Sequence, residues 1–297
     1  MATRKIPARL AVRKTLKMYS GGAFIRSESG RVLPLSAGKG EPVVNVPEAS
    51  RKDLRNAVVA ARKAQTGWAG RTAFNQSQIL YRAAEMLEGR RESFIARLAA
   101  TGGRKADETA RREVDLAIDV LVGYAGWPDK IGQVFGGTNP VAAPFFNITS
   151  PEALGVVGIV APATPPLLGL VASIAPVIAG GNTCVVLLPA EASLIGLELG
   201  EVLATSDLPG GVVNLLSAPQ AGTLAHLAGH ADVDGLLATA ITAEDHREIE
   251  TLGAETLKRI VVLPEAPGMD QAPADIVSPY RMLSFLEMKT AWHPIGV

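Results

Sequence analysis

With 297 residues, 29 basic against 29 acidic side chains and 47% hydrophobic content, the chain has material for one large or two modest globular domains. Its zero formal net charge removes the electrostatic footprint that phosphate backbones require, so no nucleic-acid partner is expected. One cysteine, Cys184, can form no internal disulfide, which suits a reducing, cytoplasmic setting.

Arg4, Lys5, Arg9, Arg13, Lys14, Lys17 and Arg26 all precede the first acid, Glu28. The bias is that of a transit peptide, but it lacks an apolar stretch for secretion, and a solvated basic arm ahead of the first strand is the preferred reading. Residues 16–35 alternate apolar and polar around Ser20-Gly21-Gly22 and Ser29-Gly30, the pattern of short strands with tight turns. Ser50 and Asp53 form a capping-box variant, and Leu54, Val58, Ala61, Ala64 and Trp68 then recur at helical spacing. Amphipathic helices follow over 76–87, 92–100 and 106–124. Gly136, Gly137, Asn139 and Pro140 mark a loop-like connection.

Between Glu152 and Glu191 there is no charged side chain at all. Such a run is long enough to cross a membrane, but Pro162, Pro165, Pro166, Pro176, Gly180 and Gly181 cut it into pieces that are each too short. A β-branched piece (156–160), a helical piece (167–179) and a second β-branched piece (183–188) make a βαβ unit buried on both faces. No membrane association is expected. Strand and helix keep alternating over 193–205, 212–216, 221–228, 233–238, 242–252 and 259–263, with Thr242 and Asp245 as another capping box. This is the sequence form of an α/β, doubly wound, Rossmann-like sheet, which binds ligands at the carboxyl ends of its strands. The tail 278–297, rich in Leu, Phe, Met and Trp, reads as extended, and such a strand requires a neighbour.

Two local constellations carry little chemistry. His226 and His230 lie four apart with Asp232 and Asp234 beyond, but no third ligand stands at a recognised spacing, so no metal is expected. Gly155 and Gly158 lie within a strand rather than between strand and helix, so close packing explains them better than a dinucleotide.

Seven segments, KMYSGGAF, YAGWPDKIGQ, ALGVVGIVAPATPPLL, IAPVIAGGNTCVVLLPAE, DLPGGVVNLLS, HADVDGLLAT and TLKRIVVL, resemble the aldehyde dehydrogenase superfamily in order and over nearly the whole chain. The resemblance implies a Rossmann-like cofactor domain, a separate catalytic domain and a β-arm that builds oligomers. Placed on it, the chain divides into N-terminal strands and helices (1–140), an arm segment (141–151), the Rossmann-like core (152–264), a linker where the catalytic domain would stand (265–276) and an oligomerisation strand (277–297).

The departures from the family pattern shape the functional expectation. Thr164 stands where the family's Pro-Trp-Asn-Phe-Pro loop has the Asn that stabilises an oxyanion. Leu188 replaces the Lys that bonds the cofactor ribose, whereas Glu191 is retained as the one cofactor-binding residue. Ala218 and Gln220 take glycine positions, Ala240-Ile241 stands for the Gly-Ser opening the pyrophosphate-facing helix, and Leu263 takes the place of the Glu general base. Cys184, flanked by Thr183, Val185 and Val186, reads as packing rather than a nucleophile. The chain therefore resembles the degenerate second half of two-part aldehyde dehydrogenases. The expectation is a pseudoenzyme with no catalytic residue and no cofactor of its own. It would assemble with a full-length aldehyde dehydrogenase, or with itself, through 141–151 and the C-terminal strand, NAD or NADP sitting in the partner. The alternative is an oxidoreductase component or redox sensor that still binds NAD(P).

Overall fold

A computed structural model describes residues 12–36, 38, 43–100, 102, 105–219 and 221–296. Arg4, Lys5, Arg9 and Gln220 lie outside the described residues. The chain opens with β1 (Met18–Ser20), β2 (Ala23–Ile25), β3 (Val32–Ser36) and β4 (Val43–Pro47). Helices α1 (Arg51–Ala69), α2 (Ala73–Glu88), α3 (Arg91–Ala99), α4 (Ala106–Ala125) and α5 (Ile131–Phe135) follow, then β5 (Gly137–Asn139) and β6 (Phe145–Ala153). The alternating part runs β7 (Val156–Val160), α6 (Leu168–Ala179), β8 (Thr183–Leu188), α7 (Ser193–Leu203), β9 (Val213–Ser217), α8 (Thr223–Ala228), β10 (Gly235–Thr239), α9 (Ala243–Ala254) and β11 (Arg259–Leu263). Short helices α10 (Pro273–Ile276) and α11 (Pro279–Leu283) lead to β12 (Leu286–Pro294).

The main sheet has the order β11-β10-β7-β8-β9-β1-β2, with β11 to β9 parallel and β1 and β2 added antiparallel. The chain moves outward from β7 through β8 to β9, then crosses back to β10 on the other side of β7. With right-handed crossovers, that reversal places the helices after β7 and β8 on one face and those after β9 and β10 on the other. The topological switch point lies between β7 and β10, where such sheets open a ligand crevice.

Local chemistry explains the elements. The Ser50 hydroxyl accepts the Asp53 amide at 3.2 Å while the Asp53 carboxylate takes the Ser50 amide at 2.9 Å, so α1 starts on a complete capping box. Trp68, fully buried, donates its indole N–H to the Ile178 carbonyl at 2.9 Å and ties α1 to the end of α6. β7 and β8 are buried on both faces, as their uncharged sequences require. A Cβ on Gly158 would lie 2.7 Å from a Leu236 methyl and 2.9 Å from Leu227, and one on Gly155 would strike the Asp234 carboxylate. Close packing thus accounts for both glycines. Asn182, fully buried, bonds Gly155 N, Val177 O and Phe285 O, joining the start of β7 to the C-terminal segment.

A separate antiparallel sheet, β12-β6-β5, forms the arm, in register from Leu286 opposite Ala153 to Pro294 opposite Phe145. Three regions depart from the sequence reading. The tail expected to be extended from Ser278 first makes α11, because Pro279 at the first helical position favours a helix start. The connection around Gly137 and Asn139 is strand β5, held by Asn139 Nδ2 donating to Asn147 Oδ1 at 2.5 Å and to Thr149 Oγ1 at 2.8 Å. The C-terminal strand finds its first neighbour within its own chain, on β6, rather than on a partner. Among the described residues no helix is long and apolar enough to cross a membrane.

Candidate functional site at the carboxyl ends of the strands

A groove of about 870 Å3 opens over the ends of β7 and β8. Thr164, Pro165 and Pro166 from the loop after β7 form one wall, Glu191 and Leu194 a second, and Arg97 of α3, Lys105 just before α4 and Glu113 of α4 a third. Residues 266–269, beyond β11, close the far side.

Glu113 is the residue that sequence reasoning missed. It is only 4% exposed, and Oε1 accepts the Leu167 amide at 2.7 Å and the Leu168 amide at 3.2 Å. Helix α6 begins without a side-chain cap of its own, so its free amides must find acceptors elsewhere, and the charge-free sequence around it supplies none. That gap was the available signal. Burial pushes the Glu113 pKa above its usual carboxylate range, while the two amide bonds pull it back down.

The positions singled out by the family resemblance divide into two groups. Thr164 and Glu191 both reach the groove and are exposed there. Leu188 turns away from it: fully buried, it packs so tightly against Gly196 of α7 that a Cβ there would lie 2.5 Å from its methyl. Ala218 adopts a left-handed φ of 40°, and its amide is already bonded to Leu188 O at 3.0 Å and Ser193 Oγ at 3.1 Å. Ala240, φ 54°, gives its amide to Leu263 O at 2.9 Å.

At the start of α9, the Thr242 hydroxyl donates to the Asp245 carboxylate at 2.8 Å and accepts the Asp245 amide at 3.1 Å. The side chains of Glu244 and Asp245 add two acids to that first turn. An Asp245 amide already bonded, a β-branched Ile241 and two carboxylates do not fit a pyrophosphate at this helix end. The buried hydroxyl of Thr239, at the end of β10, has no partner among the described residues.

Cys184 is fully buried in β8, and burial pushes its thiol far up, out of the range of a nucleophile at neutral pH. His230 Nδ1 accepts the Asp232 amide at 3.2 Å, and Asp234 is engaged by Arg62 at 2.6 Å and by Val156 N at 2.7 Å. Among the described residues no three His, Cys, Asp or Glu side chains converge as a metal ligand set.

Residues 24–269 match the model of the aldehyde dehydrogenase family. Retinal dehydrogenase 2 of Mus musculus is 34% identical over 272 residues, 89% of this chain and 51% of that protein. Benzaldehyde dehydrogenase, mitochondrial, of Antirrhinum majus is 31% identical over 251 residues, 83% of this chain and 46% of that protein. The NAD+ complex structure of aldehyde dehydrogenase from Bacillus cereus superposes with a TM-score of 0.77 at 27% identity, over 84% of this chain and 50% of that one. The chain thus spans about half the length of the relatives it matches. These similarities overturn the expectation of a pseudoenzyme, because the matching relatives are named dehydrogenases. That expectation rested on residues missing from this stretch, and a match over half of a relative's length leaves the rest of the catalytic machinery outside the comparison. By the extent of the matched region, the chain belongs to the aldehyde dehydrogenase family.

Proposed function

We propose that the chain works in aldehyde dehydrogenation as the cofactor-domain and arm component of an oligomer, joined through β12 and β6 to a full-length aldehyde dehydrogenase. The observation that supports this reading is the arm itself. β12 is an edge strand of nine residues, and its outer edge faces no strand among the described residues. Trp292 is 59% exposed and Phe146 47%, with Met288 and Ile148 also open to solvent. A long strand edge flanked by exposed apolar side chains is a template on which another chain can pair. In this reading the nicotinamide cofactor of the assembly, NAD or NADP, sits in the partner, since the start of α9 here does not suit a pyrophosphate.

Coexpression with a full-length aldehyde dehydrogenase from the same cells tests the proposal. Elution as a single complex that reduces NAD or NADP with an aldehyde is the expected result, and two separately eluting folded species contradict it. A second reading, favoured by the position of Glu191 in the groove, keeps dinucleotide binding in this chain. Calorimetric titration with NAD and NADP separates the two: saturable binding below millimolar concentration supports the second reading, and its absence supports the first.

A further inference from the structure

We propose that a groove between the start of α1, α8 and the turn joining β2 to β3 binds a small molecule carrying two or more phosphate groups. The proposal does not depend on the dehydrogenase reading. The groove encloses about 1030 Å3 and shares no residue with the one over β7 and β8. Arg31, Arg51, Lys52 and Arg55 line it, and Glu28 is the only carboxylate among its lining residues. Glu28 is already paired with Lys52 at 2.7 Å. The guanidinium groups of Arg31, Arg51 and Arg55 make no ion pair or hydrogen bond with any described residue, and all three side chains are exposed.

In a chain without net charge, three unpaired guanidiniums and an ammonium on one concavity are a local imbalance. They repel one another, and Arg51 and Arg55 stand at the end of a helix whose backbone dipole favours acids instead. Like charges gathered on one concavity focus a field that attracts a multivalent anion. Arginine presents a planar fork that matches phosphate oxygens two at a time, which favours phosphates over a single carboxylate. The apolar part of the lining is Leu54, Ala225, Ala231 and Leu252, and the only rings in it are the imidazoles of His226 and His230. Recognition would rest on the phosphates, which the arginine forks match, since the lining holds no Phe, Tyr or Trp to supply a large stacking face. The volume suits a ligand of nucleotide size.

Isothermal titration of the full chain with sodium tripolyphosphate tests this at about 50 mM and about 300 mM NaCl. One saturable site is expected, weakened by salt and weakened at least about tenfold in Arg51→Ala/Arg55→Ala. Arg31→Ala, on the opposite wall, should weaken binding independently. These exposed substitutions leave the fold intact, which an unchanged melting curve would verify. The control Arg82→Ala/Arg111→Ala, of equal charge change away from the groove, should bind as the wild type does. No saturable heat up to about 5 mM, or equal loss in the groove and control variants, would overturn the proposal, the latter by showing diffuse charge attraction only.

Discussion

The central parallel strands and the arm are both made of apolar sequence, but they dispose of it differently. β7 and β8 are covered on both faces by helices and on both edges by strands, so every apolar side chain they carry has an intramolecular neighbour. The arm places Phe145, Phe146, Ile148, Met288 and Trp292 on a thin three-stranded sheet that leaves each of them exposed, and Phe145 and Trp292 meet edge to face at 5.8 Å. Apolar content alone is therefore a poor guide to burial within a chain. In the core it measures folding, and in the arm it measures what remains for association.

Substitutions can sharpen this contrast. The largest stability loss is expected from Trp68→Ala, which empties a fully buried site and removes the bond to Ile178 O, at a cost of about 3–5 kcal/mol in urea unfolding. Asn182→Ala should cost about 2–3 kcal/mol, because Gly155 N and Phe285 O then lie buried without their partner. Since Phe285 directly precedes β12, faster hydrogen exchange across the arm should accompany that loss. A small effect there would mean that the arm is held independently of the core.

Glu113 offers a pH-dependent test on the core side. Burial raises its pKa above the ordinary 4.5, so its contribution to stability is complete below that value and is lost as pH rises through the folded-state pKa. Glu113→Gln keeps an oxygen for the Leu167 and Leu168 amides without titrating. Relative to the wild type, this variant should gain stability as pH rises from the ordinary carboxylate range through the raised folded-state pKa of Glu113, measured by denaturant unfolding at each pH. A difference independent of pH would contradict the assignment. The smallest change in monomer stability, within about 0.5 kcal/mol, is expected for Trp292→Ser in the arm, since an exposed side chain is being removed. Its effect should instead be read in the assembly, as a shift toward free chain on size-exclusion chromatography.

Legibility in the sequence follows the same division. The strands over 156–160, 183–188 and 259–263 could be read to the residue, because β-branched runs bounded by glycine, proline or a charge change leave no other buried conformation. The Ser50 and Asp53 cap was equally local. β4 was not read from Val43–Pro47, and its partner β3 supplies the pairing that a five-residue run cannot declare alone. β5 was hidden by residues typical of loops, since its strand state comes from β6 and from the side chain of Asn139. In the site, Thr164 and Glu191 were singled out by the family resemblance, and both line the groove. Glu113 was not singled out, because the amides it caps are more than fifty residues away in sequence.

The most direct measurement of the central claim is native mass spectrometry of this chain coexpressed with a full-length aldehyde dehydrogenase, with and without Trp292→Ser. The account predicts a mixed oligomer for the wild type and its dissociation into separate species for the variant. Separate species for the wild type, or a mixed oligomer untouched by the substitution, would show that the arm's exposed edge is not what holds the assembly together.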